Sequence, residues 1–272
     1  MKIALIQQSA SISKSDNIQR GVEAVKTAAA KGANIICFAE LAFTQFYPQK
    51  KASSDYKNLA ETIPGPTTKI FSELAKELGI VIILNLYEYE NGNTYDSSPL
   101  INVNGEILGT TRMVHITDYE HFYEKGYYTP GNNGVKVYNT EFGKIGIAIC
   151  YDRHYPEYMR SLALAGAEIV FIPQAGSVGE WPEGLYEAEL KVASFQNGYF
   201  TALCNRVGKE EKLTFAGESF VCNPEGKVIA RAGSLTEEIL MCDIDLSEVE
   251  KSHAKKLFFR DRRPELYNEW FK

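Results

Sequence analysis

The chain has 272 residues, of which 44% are hydrophobic and 24% charged, and its formal net charge is −6 at pH 7. This composition is typical of a globular protein with a large core. The acidic balance argues against a surface that binds nucleic-acid phosphates or an anionic membrane, so we expect neither as a partner.

Five cysteines, an odd number without a Cys-x-x-Cys pair, favour a reducing compartment. The first eight residues have the pattern of a strand rather than a signal sequence, and no apolar run is long enough to span a membrane. We therefore expect a cytoplasmic protein. Because no linker rich in Ser, Gly or Pro divides the sequence, we expect a single domain over residues 1–272.

Strand and helix patterns alternate in both halves of the chain, and each half also contains a hairpin pattern. This succession predicts an α/β protein in which a pair of sheets is flanked by helices. Strands are predicted over 2–7, 34–38, 80–86, 95–103, 106–115, 136–138, 144–149, 168–172, 199–205, 217–222, 228–230 and 238–244, and helices over 17–31 with Asp16 as the cap, 68–78, 156–165 and 181–197.

Cys150 lies where a buried strand gives way to a helix. Residues 145–149 carry no charge and include three isoleucines, and Pro156 is placed for the first turn of the following helix. Free backbone N–H groups and a helix N-terminus at such a turn would favour a thiolate and could bind an oxyanion. The remaining cysteines lie inside predicted strands and are expected to be buried apolar residues: Cys37, Cys204, Cys222 and Cys242.

Two other stretches point to the same kind of place. Glu40 follows the predicted strand over 34–38, and the carboxyl ends of strands are where α/β sheets carry their sites. Residues 115–134 contain four tyrosines and one phenylalanine among several charges, which is typical of a pocket wall rather than of a passive loop.

These stretches resemble the nitrilase, or carbon-nitrogen hydrolase, superfamily, and the resemblance extends over nearly the whole chain. It implies a four-layer α-β-β-α sandwich and hydrolysis of a non-peptide C–N bond without a metal or organic cofactor. The matching blocks are Phe38-Ala39-Glu40-Leu41, residues 122–131, Cys150-Tyr151-Asp152-Arg153-His154-Tyr155-Pro156-Glu157, Asn205-Arg206-Val207-Gly208 and residues 258–267.

The resemblance also implies a role for three residues. Cys150 would be the nucleophile, Glu40 the general base and acid, and Glu124 a second glutamate that positions the site. The implied reaction is attack of the thiolate on an amide-like carbon and loss of the amine. Water activated by Glu40 would then hydrolyse the thioester.

The family's catalytic lysine has no counterpart. The family pattern resembles Tyr-Arg-Lys-x-His, whereas this chain has Met113 at the lysine position. A thioether cannot donate a hydrogen bond to an oxyanion, a contribution of roughly 3–4 kcal/mol in other oxyanion sites. Arg112 is expected to point to the opposite face of its strand. Lys125 or His115 would have to supply the cation; otherwise the chemistry is weakened, naturally or by an engineered substitution.

The block at Cys150 resembles N-carbamoyl amine and ureido-acid hydrolases more than nitrilases. We therefore expect a small amide or carbamoyl substrate. The alternatives are an ω-amidase acting on dicarboxylate monoamides and a binding or regulatory relative that has lost activity. The expected substrate-binding residues are Tyr47, Met113, Tyr119, Tyr151, Arg153 and Gln174.

Two further expectations concern binding to metal and to a second subunit. The four histidines show no metal-ligand spacing, so no metal site is expected, and Asp152 is expected to be a local helix cap.

Residues 257–272 mix aromatic and charged side chains without a stripe that would pack on the chain's own core. We expect this tail to dock on a second subunit of a homodimer or higher homo-oligomer.

Overall fold

The structure, a computed structural model, describes residues 1–270. The strands are β1 (Lys2–Gln7), β2 (Ile35–Phe38), β3 (Val81–Ile83), β4 (Leu86–Glu90), β5 (Asn93–Ile101), β6 (Ile107–Arg112), β7 (Val137–Thr140), β8 (Gly143–Ile147), β9 (Ile169–Gln174), β10 (Phe200–Asn205), β11 (Val207–Lys209), β12 (Thr214–Ala216), β13 (Phe220–Cys222), β14 (Val228–Arg231) and β15 (Glu238–Asp243). The helices are α1 (Lys14–Ala30), α2 (Pro66–Leu78), α3 (Pro156–Leu164), α4 (Leu185–Asn197), α5 (Ser247–Lys251) and α6 (Pro264–Trp270).

The strands form two large sheets and one short pair. The first sheet has the order β15-β1-β2-β3-β5-β4, with β6 also paired to β5. The second has the order β14-β13-β10-β9-β8-β7, and β11 pairs with β12. The centre of each large sheet is parallel, through β1, β2 and β3 in the first and β8, β9 and β10 in the second. Each centre therefore has a carboxyl edge at which a site can be built.

The two sheets pack face to face between two layers of helices. Alternate side chains of each strand point to opposite faces. Leu5 of the first sheet and Phe171 of the second share one core cluster between the sheets. The outer face of the first sheet packs on α1 and α2, and that of the second packs on α3 and α4. The four-layer α-β-β-α sandwich expected from the resemblance is confirmed.

Three predicted helix starts were wrong, and the smallest error is at α2, which begins at Pro66 rather than at residue 68. Helix α1 begins at Lys14, because Ser13 is its cap and accepts a hydrogen bond from the Asp16 N–H at 3.3 Å. Asp16 therefore lies in the first turn, where its charge favours the helix N-terminus. Helix α4 begins at Leu185 rather than at residue 181, because Gly184 adopts a left-handed φ of 79° that a regular helix does not contain.

The carboxyl edges of the two sheets meet at one end of the sandwich. Glu40 follows β2, and Cys150 follows β8. An aromatic cluster formed largely by the loops covers this end, with Leu41, Phe46, Tyr87, Phe122, Tyr127, Tyr128, Ala175, Leu213 and Phe215 as its buried members. Among residues 1–270, no helix combines the length and the apolar character that crossing a bilayer requires.

Candidate active site

Three side chains from distant parts of the sequence converge beneath the aromatic cluster. One oxygen each of Glu40 and Glu124 and the Sγ of Cys150 lie within 4.8 Å of one another. Both carboxylates are 0% exposed and Cys150 is 4% exposed. The end of β2, the single turn Glu124–Gly126 and the turn Cys150–His154 supply them. We call this buried group of a nucleophilic thiol and two carboxyl groups, with the side chains around it, the chamber.

The turn that carries Cys150 holds its backbone in an uncommon conformation. The φ of Cys150 is 43°, which costs free energy for a residue that is not glycine. Arg153 stabilises this turn, because its Nη1 donates to the Cys150 carbonyl at 2.8 Å. The turn is closed by the Asp152 N–H, which donates to the Ile149 carbonyl at 2.9 Å. The strand end therefore fixes the direction of the thiol.

The thiol is held in its protonated form. Burial raises the pKa of Cys150 well above its ordinary value, the carboxyl groups of Glu40 and Glu124 raise it further, and Arg153 opposes the shift. The sequence-based expectation of a thiolate favoured by the helix N-terminus was wrong, because it left out two carboxyl groups brought in from elsewhere in the chain. A reaction at Cys150 therefore needs a base that takes the thiol proton.

Glu40 has the acidity that such a base requires. Burial, followed by repulsion from Glu124, raises its pKa to about 7. Among residues 1–270, neither of its side-chain oxygens has a permanent hydrogen-bond donor. The side chains that can donate to it are the carboxyl of Asp96 and the thiol of Cys150, which donate only when protonated, while the charge of Arg206 lowers its pKa from a distance. A carboxyl group in this state can accept and return a proton near neutral pH.

Asp96 is a site residue that the sequence analysis missed. It lies on β5, is 1% exposed, and accepts a hydrogen bond from Asn85 Nδ2 at 2.5 Å. Burial and the neighbouring Glu40 raise its pKa well above the ordinary value. Its backbone carbonyl accepts the Met113 N–H at 2.9 Å, which places it beside the lysine position of the family. The available signal was a lone carboxylate within the predicted strand 95–103.

None of the three considered cations takes the place of a lysine at Met113, which is itself buried in the same core cluster as Cys150. Arg112 pairs with Glu88 and Glu90, with N–O distances of 2.7 and 2.8 Å. Lys125 is exposed. His115 is held by Asp152 at 2.7 Å and stacks on the Tyr155 ring at 3.5 Å.

Asp152 anchors a loop. Its carboxylate accepts the backbone N–H groups of Val114 at 3.2 Å and His115 at 2.9 Å, as well as the His115 side chain. The prediction that Asp152 caps the following helix was wrong, because α3 starts beyond it with Tyr155 as the cap residue. The segment after Met113 is thereby fastened to the turn that carries Cys150.

Comparison with known proteins decides the family. The family model described as "Carbon-nitrogen hydrolase" matches residues 2–254. The chain belongs to the carbon-nitrogen hydrolase family. Among curated proteins, this hydrolase is 35% identical to an N-carbamoylputrescine amidase of Solanum lycopersicum, over 97% of this chain and 93% of that protein. It is 34% identical to a citrullinase of Francisella tularensis, over 99% and 97% of the two chains.

Solved structures share the whole fold of this hydrolase. A carbon-nitrogen hydrolase from Helicobacter pylori G27 superposes with a TM-score of 0.94 at 31% identity, covering 100% of this chain and 98% of that one. The NitN amidase from Neterenkonia sp. AN1 superposes with a TM-score of 0.84 at 25% identity and covers 100% of both chains. The expected recognition of the family is confirmed, and the protein is an enzyme, a carbon-nitrogen hydrolase.

The wall of the hydrolase chamber contains a further carboxylate, Glu180, which the sequence analysis also missed. It accepts hydrogen bonds from the hydroxyl groups of Tyr119 at 2.5 Å and Tyr186 at 2.6 Å, and from the Ser177 N–H at 3.0 Å. Burial and the charge of Glu180 raise the pKa of Tyr119 well above its ordinary value. Tyr119 is therefore fixed as a neutral phenol.

Arg153 and Gln174 are joined to each other in the same wall. Arg153 Nη1 donates to Gln174 Oε1 at 2.8 Å, and the guanidinium lies 4.4 Å from the Tyr186 ring centre. Tyr47 packs on Tyr87 with ring centres 5.8 Å apart, and Tyr151 packs between His154 and Tyr155. These packing contacts of Tyr47 and Tyr151 do not involve the Cys150 thiol.

Glu40, Glu124 and Cys150 also have the spacing of a metal site, the donor set being two carboxylates and a thiolate. Metal binding would require all three groups to lose their protons. The raised pKa values of the three groups oppose this, so a metal ion would compete with protons for the chamber.

Proposed function

We propose that Cys150 hydrolyses the C–N bond of a linear amide or N-carbamoyl group and that Glu40 moves the protons. The observation that carries this proposal is the convergence of the Cys150 Sγ with the oxygens of Glu40 and Glu124 inside 4.8 Å, in a buried chamber. A thiol beside a carboxyl group of pKa about 7 can make and break an acyl intermediate without a cofactor.

The proton path follows from the pKa values of Cys150 and Glu40. Glu40 takes the Cys150 proton as the sulfur attacks the carbonyl carbon, and then donates it to the departing ammonia or amine. Glu40 next takes a proton from water, which attacks the thioester, and the C–S bond breaks as the thiol regains its proton. Glu124 keeps the pKa of Glu40 high, and its own Oε2 is held by the Thr117 N–H at 3.3 Å.

The proposed substrate is a small amide or carbamoyl compound. The names of the two curated relatives, N-carbamoylputrescine amidase and citrullinase, support this class. Substrate-binding residues are proposed to be Tyr47, Met113, Tyr119, Tyr151, Arg153 and Gln174. Among them Gln174 Nε2 and Arg153 Nη2 are buried donors without a partner in the described chain, available to a substrate oxygen.

Ammonia release from a small substrate set tests the proposal. The set is N-carbamoyl-β-alanine, N-carbamoylputrescine and short ω-amides, assayed with wild-type protein and with Cys150→Ala. Release with the wild type only is the expected result, and the preferred substrate distinguishes a carbamoylase from an ω-amidase. Release that never exceeds the Cys150→Ala background would refute the proposal. Glu73→Gln, at an exposed position of α2, is the matched control.

A catalytically weakened hydrolase that acts mainly as a binding or regulatory protein is the second candidate, because Met113 stands at the family's lysine position. Met113→Lys separates the two. A large gain in amide hydrolysis from a very low level supports the weakened candidate. A loss from a measurable level means that Met113 belongs to a working pocket.

We also propose that the hydrolase forms a homodimer through the face of α3 and α4. Leu164 and Val192 are about half exposed there, with 49% and 52% of their surface accessible. A cavity of about 840 Å³ lies on this face, and Tyr267 and Trp270 of the tail line it. Phe258 of the tail packs on Phe195 of its own chain at 5.4 Å, so part of the tail stays with its own subunit. Residues 271–272 of the predicted tail lie outside the described residues.

A single domain in the cytoplasm fits these features. The strand β1 pairs with β15, so the two ends of the sequence share one sheet, which supports one domain over residues 1–272. All five cysteines are free thiols, and a reactive Cys150 needs a reducing compartment to remain so.

A further inference from the structure

The chamber around Cys150 carries an excess of acidic groups. Glu40, Asp96 and Glu124 are each at most 1% exposed, and the pKa of each is raised by burial and by another carboxyl group of this set. One oxygen of Asp96, one of Glu124 and both of Glu40 have no hydrogen-bond partner among residues 1–270. The buried hydroxyl of Tyr128 also has no hydrogen-bond partner there, and burial together with the charges of all three acids raises its pKa.

Cations of the described chain compensate this set only in part, because the charge of Arg206 lowers the pKa of Glu40 without reversing the rise that burial causes. Within residues 1–270, the buried polar residues include no lysine. Arg206 is occupied by the carbonyls of Leu41 and Thr44, at 2.8 and 2.9 Å, and by Glu210. Arg153 Nη1 is held by the Cys150 carbonyl and Gln174, so that its Nη2, which has no partner among residues 1–270, remains as a cationic donor for a substrate oxygen. The position at which the family has a lysine contributes the uncharged thioether of Met113.

Compared with a site that has the family's lysine, this chamber stabilises an oxyanion less, and its carboxyl groups, once ionised, favour a positive charge. Attack of a thiolate on a neutral amide places a negative charge on the oxygen, close to the three acids, with no lysine to stabilise it. Attack on an amidinium or guanidinium carbon creates no anion, because it neutralises a charge that is already positive. The planar N–H groups of such a ligand also match carboxylate oxygens two at a time.

We propose that the substrates of this site include amidinium or guanidinium compounds, with the cation occupying the place of the missing lysine among Glu40, Asp96 and Glu124. The proposal rests on the proposed function, since it uses the same thiol and the same base. In this proposal Asp96 binds the substrate. Met113 contributes by being uncharged, because no lysine then competes with the cationic substrate for the three carboxyl groups.

The reaction balances with water as the only co-reactant. Glu40 takes the thiol proton while the sulfur bonds to the guanidinium carbon, which gives a neutral tetrahedral adduct. Glu40 then protonates one nitrogen, the C–N bond breaks and ammonia leaves, so that a cationic thiouronium remains on Cys150. Water loses a proton to Glu40 and attacks this carbon, and the C–S bond breaks with return of a proton to the sulfur. Guanidinium and water have become urea and ammonium.

Two isosteric pairs of probes test the proposal. Butyramidine is compared with butyramide, and N-propylguanidine with N-propylurea, by ammonia release. Within a pair the shape is the same and only the charge differs. We expect kcat/KM to be at least about 10-fold higher for the cationic member. A smaller ratio, or a preference for the neutral member, overturns the proposal.

Two variants locate the preference in the chamber. Met113→Lys supplies an internal cation, so the preference should shift toward the neutral member by at least about 10-fold. Asp96→Asn should lower kcat/KM for the cationic member more than for the neutral one. Equal losses for both members would mean that Asp96 only supports the fold, which overturns its assignment. Glu73→Gln is the control, and thermal unfolding checks that each variant is folded.

Calorimetric binding to Cys150→Ala separates this proposal from the proposed function. Tighter binding of N-propylguanidine than of N-propylurea, by at least about 10-fold, supports the cationic class even if the wild type turns over neither probe. Turnover of neutral amides combined with no cation preference in binding leaves the proposed function in place and overturns the inference. Absence of turnover for every amide, carbamoyl and cationic probe refutes the proposed function and, with it, the use of these cations as substrates, while the binding preference of Cys150→Ala still tests cation recognition by itself.

Discussion

At the scale of single residues, Cys150 and Glu40 depend on each other. Burial and two nearby carboxyl groups keep the thiol protonated, and burial with Glu124 brings the pKa of Glu40 to about 7. The sequence placed both residues at strand ends, because hydrophobic runs that stop at a polar residue are local signals. The direction of the thiol pKa shift was not available locally, since Glu40 and Glu124 come from distant segments.

The acidity of Glu40 predicts how activity depends on pH. Only the ionised carboxyl can take the thiol proton, so kcat/KM for a neutral amide should rise as the pH passes through about 7 and then level off. A pH–rate profile measured between pH 5 and 9 checks this. Activity that falls through the same range would mean that the protonated form of Glu40 starts the reaction.

The same group predicts how stability depends on pH. The folded-state pKa of Glu40 is about 7 and its ordinary value is 4.5. The folded state therefore binds this proton more tightly than the unfolded state, and the contribution is present at low pH and lost as pH rises from 4.5 through 7. The free energy of unfolding should fall by about 3 kcal/mol over that interval.

Urea unfolding at pH 5 and pH 8 measures this effect. Glu40→Gln should show a smaller fall than the wild type, because its amide does not ionise. An identical fall in the two proteins would assign the pH dependence to other groups, with Asp96 and Glu124 as the first to examine, since their pKa values are also raised.

At the scale of elements, Arg206 connects the two sheets at the site. It follows β10, and its guanidinium donates to the carbonyls of Glu40 at 3.1 Å and Leu41 at 2.8 Å. Leu41 has a positive φ of 45°, so the segment after β2 needs such support. Arg206 is 1% exposed and pairs with the buried Glu210. Arg206 thereby fixes the position of Glu40, the proposed base, relative to the second sheet.

Removal of Arg206 should be costly. Arg206→Ala leaves Glu210 as an uncompensated buried charge, and we expect a loss of about 3–5 kcal/mol in the free energy of unfolding. The double variant Arg206→Met with Glu210→Gln should recover part of the loss, since neither charge remains. Urea denaturation measures both, with Glu211→Gln at an exposed position as the control. A loss under 1 kcal/mol for Arg206→Ala would contradict this function of the pair.

Elements were predictable from the sequence to different degrees. The buried strands before Glu40 and Cys150 appeared as uncharged apolar runs, and Asn104-Gly105 marked the turn between β5 and β6, where Gly105 has a φ of 83°. The start of α1 was missed because Ser13 and Asp16 are both good caps and local sequence does not choose between them. Asp96 was missed because its neighbour Glu40 is far away in the sequence.

At the scale of the whole molecule, the helical layer of the second sheet leaves apolar surface uncovered. Leu164 of α3 and Val192 of α4 are exposed on the face where the cavity lies. The four-layer sandwich could be predicted from the resemblance to the family, because this chain has the family's order of strands and helices. A dimer needs a second chain. The sequence and structure of one chain indicate a dimer only through exposed apolar surfaces of this kind.

The dimer proposed for this face should be sensitive to charge. Val192→Asp would place a carboxylate in an apolar interface, so we expect a mass of one chain instead of two by light scattering at micromolar concentration. Ile12→Asp is the matched control, since Ile12 is also an exposed apolar residue, 89% accessible, and lies just before α1. A wild-type protein that is already monomeric would contradict the proposal.

Covalent chemistry at Cys150 is most directly tested by trapping the intermediate. The substrate that releases ammonia fastest is mixed with the wild type, quenched in acid during turnover, and the protein is digested and mapped by mass spectrometry. We predict one adduct, with the mass of the acyl or corresponding thiouronium group, on the Cys150 peptide, and a loss of ammonia release of at least about 10³-fold in Cys150→Ala. An adduct on another residue, or ammonia release that persists in Cys150→Ala, would contradict it.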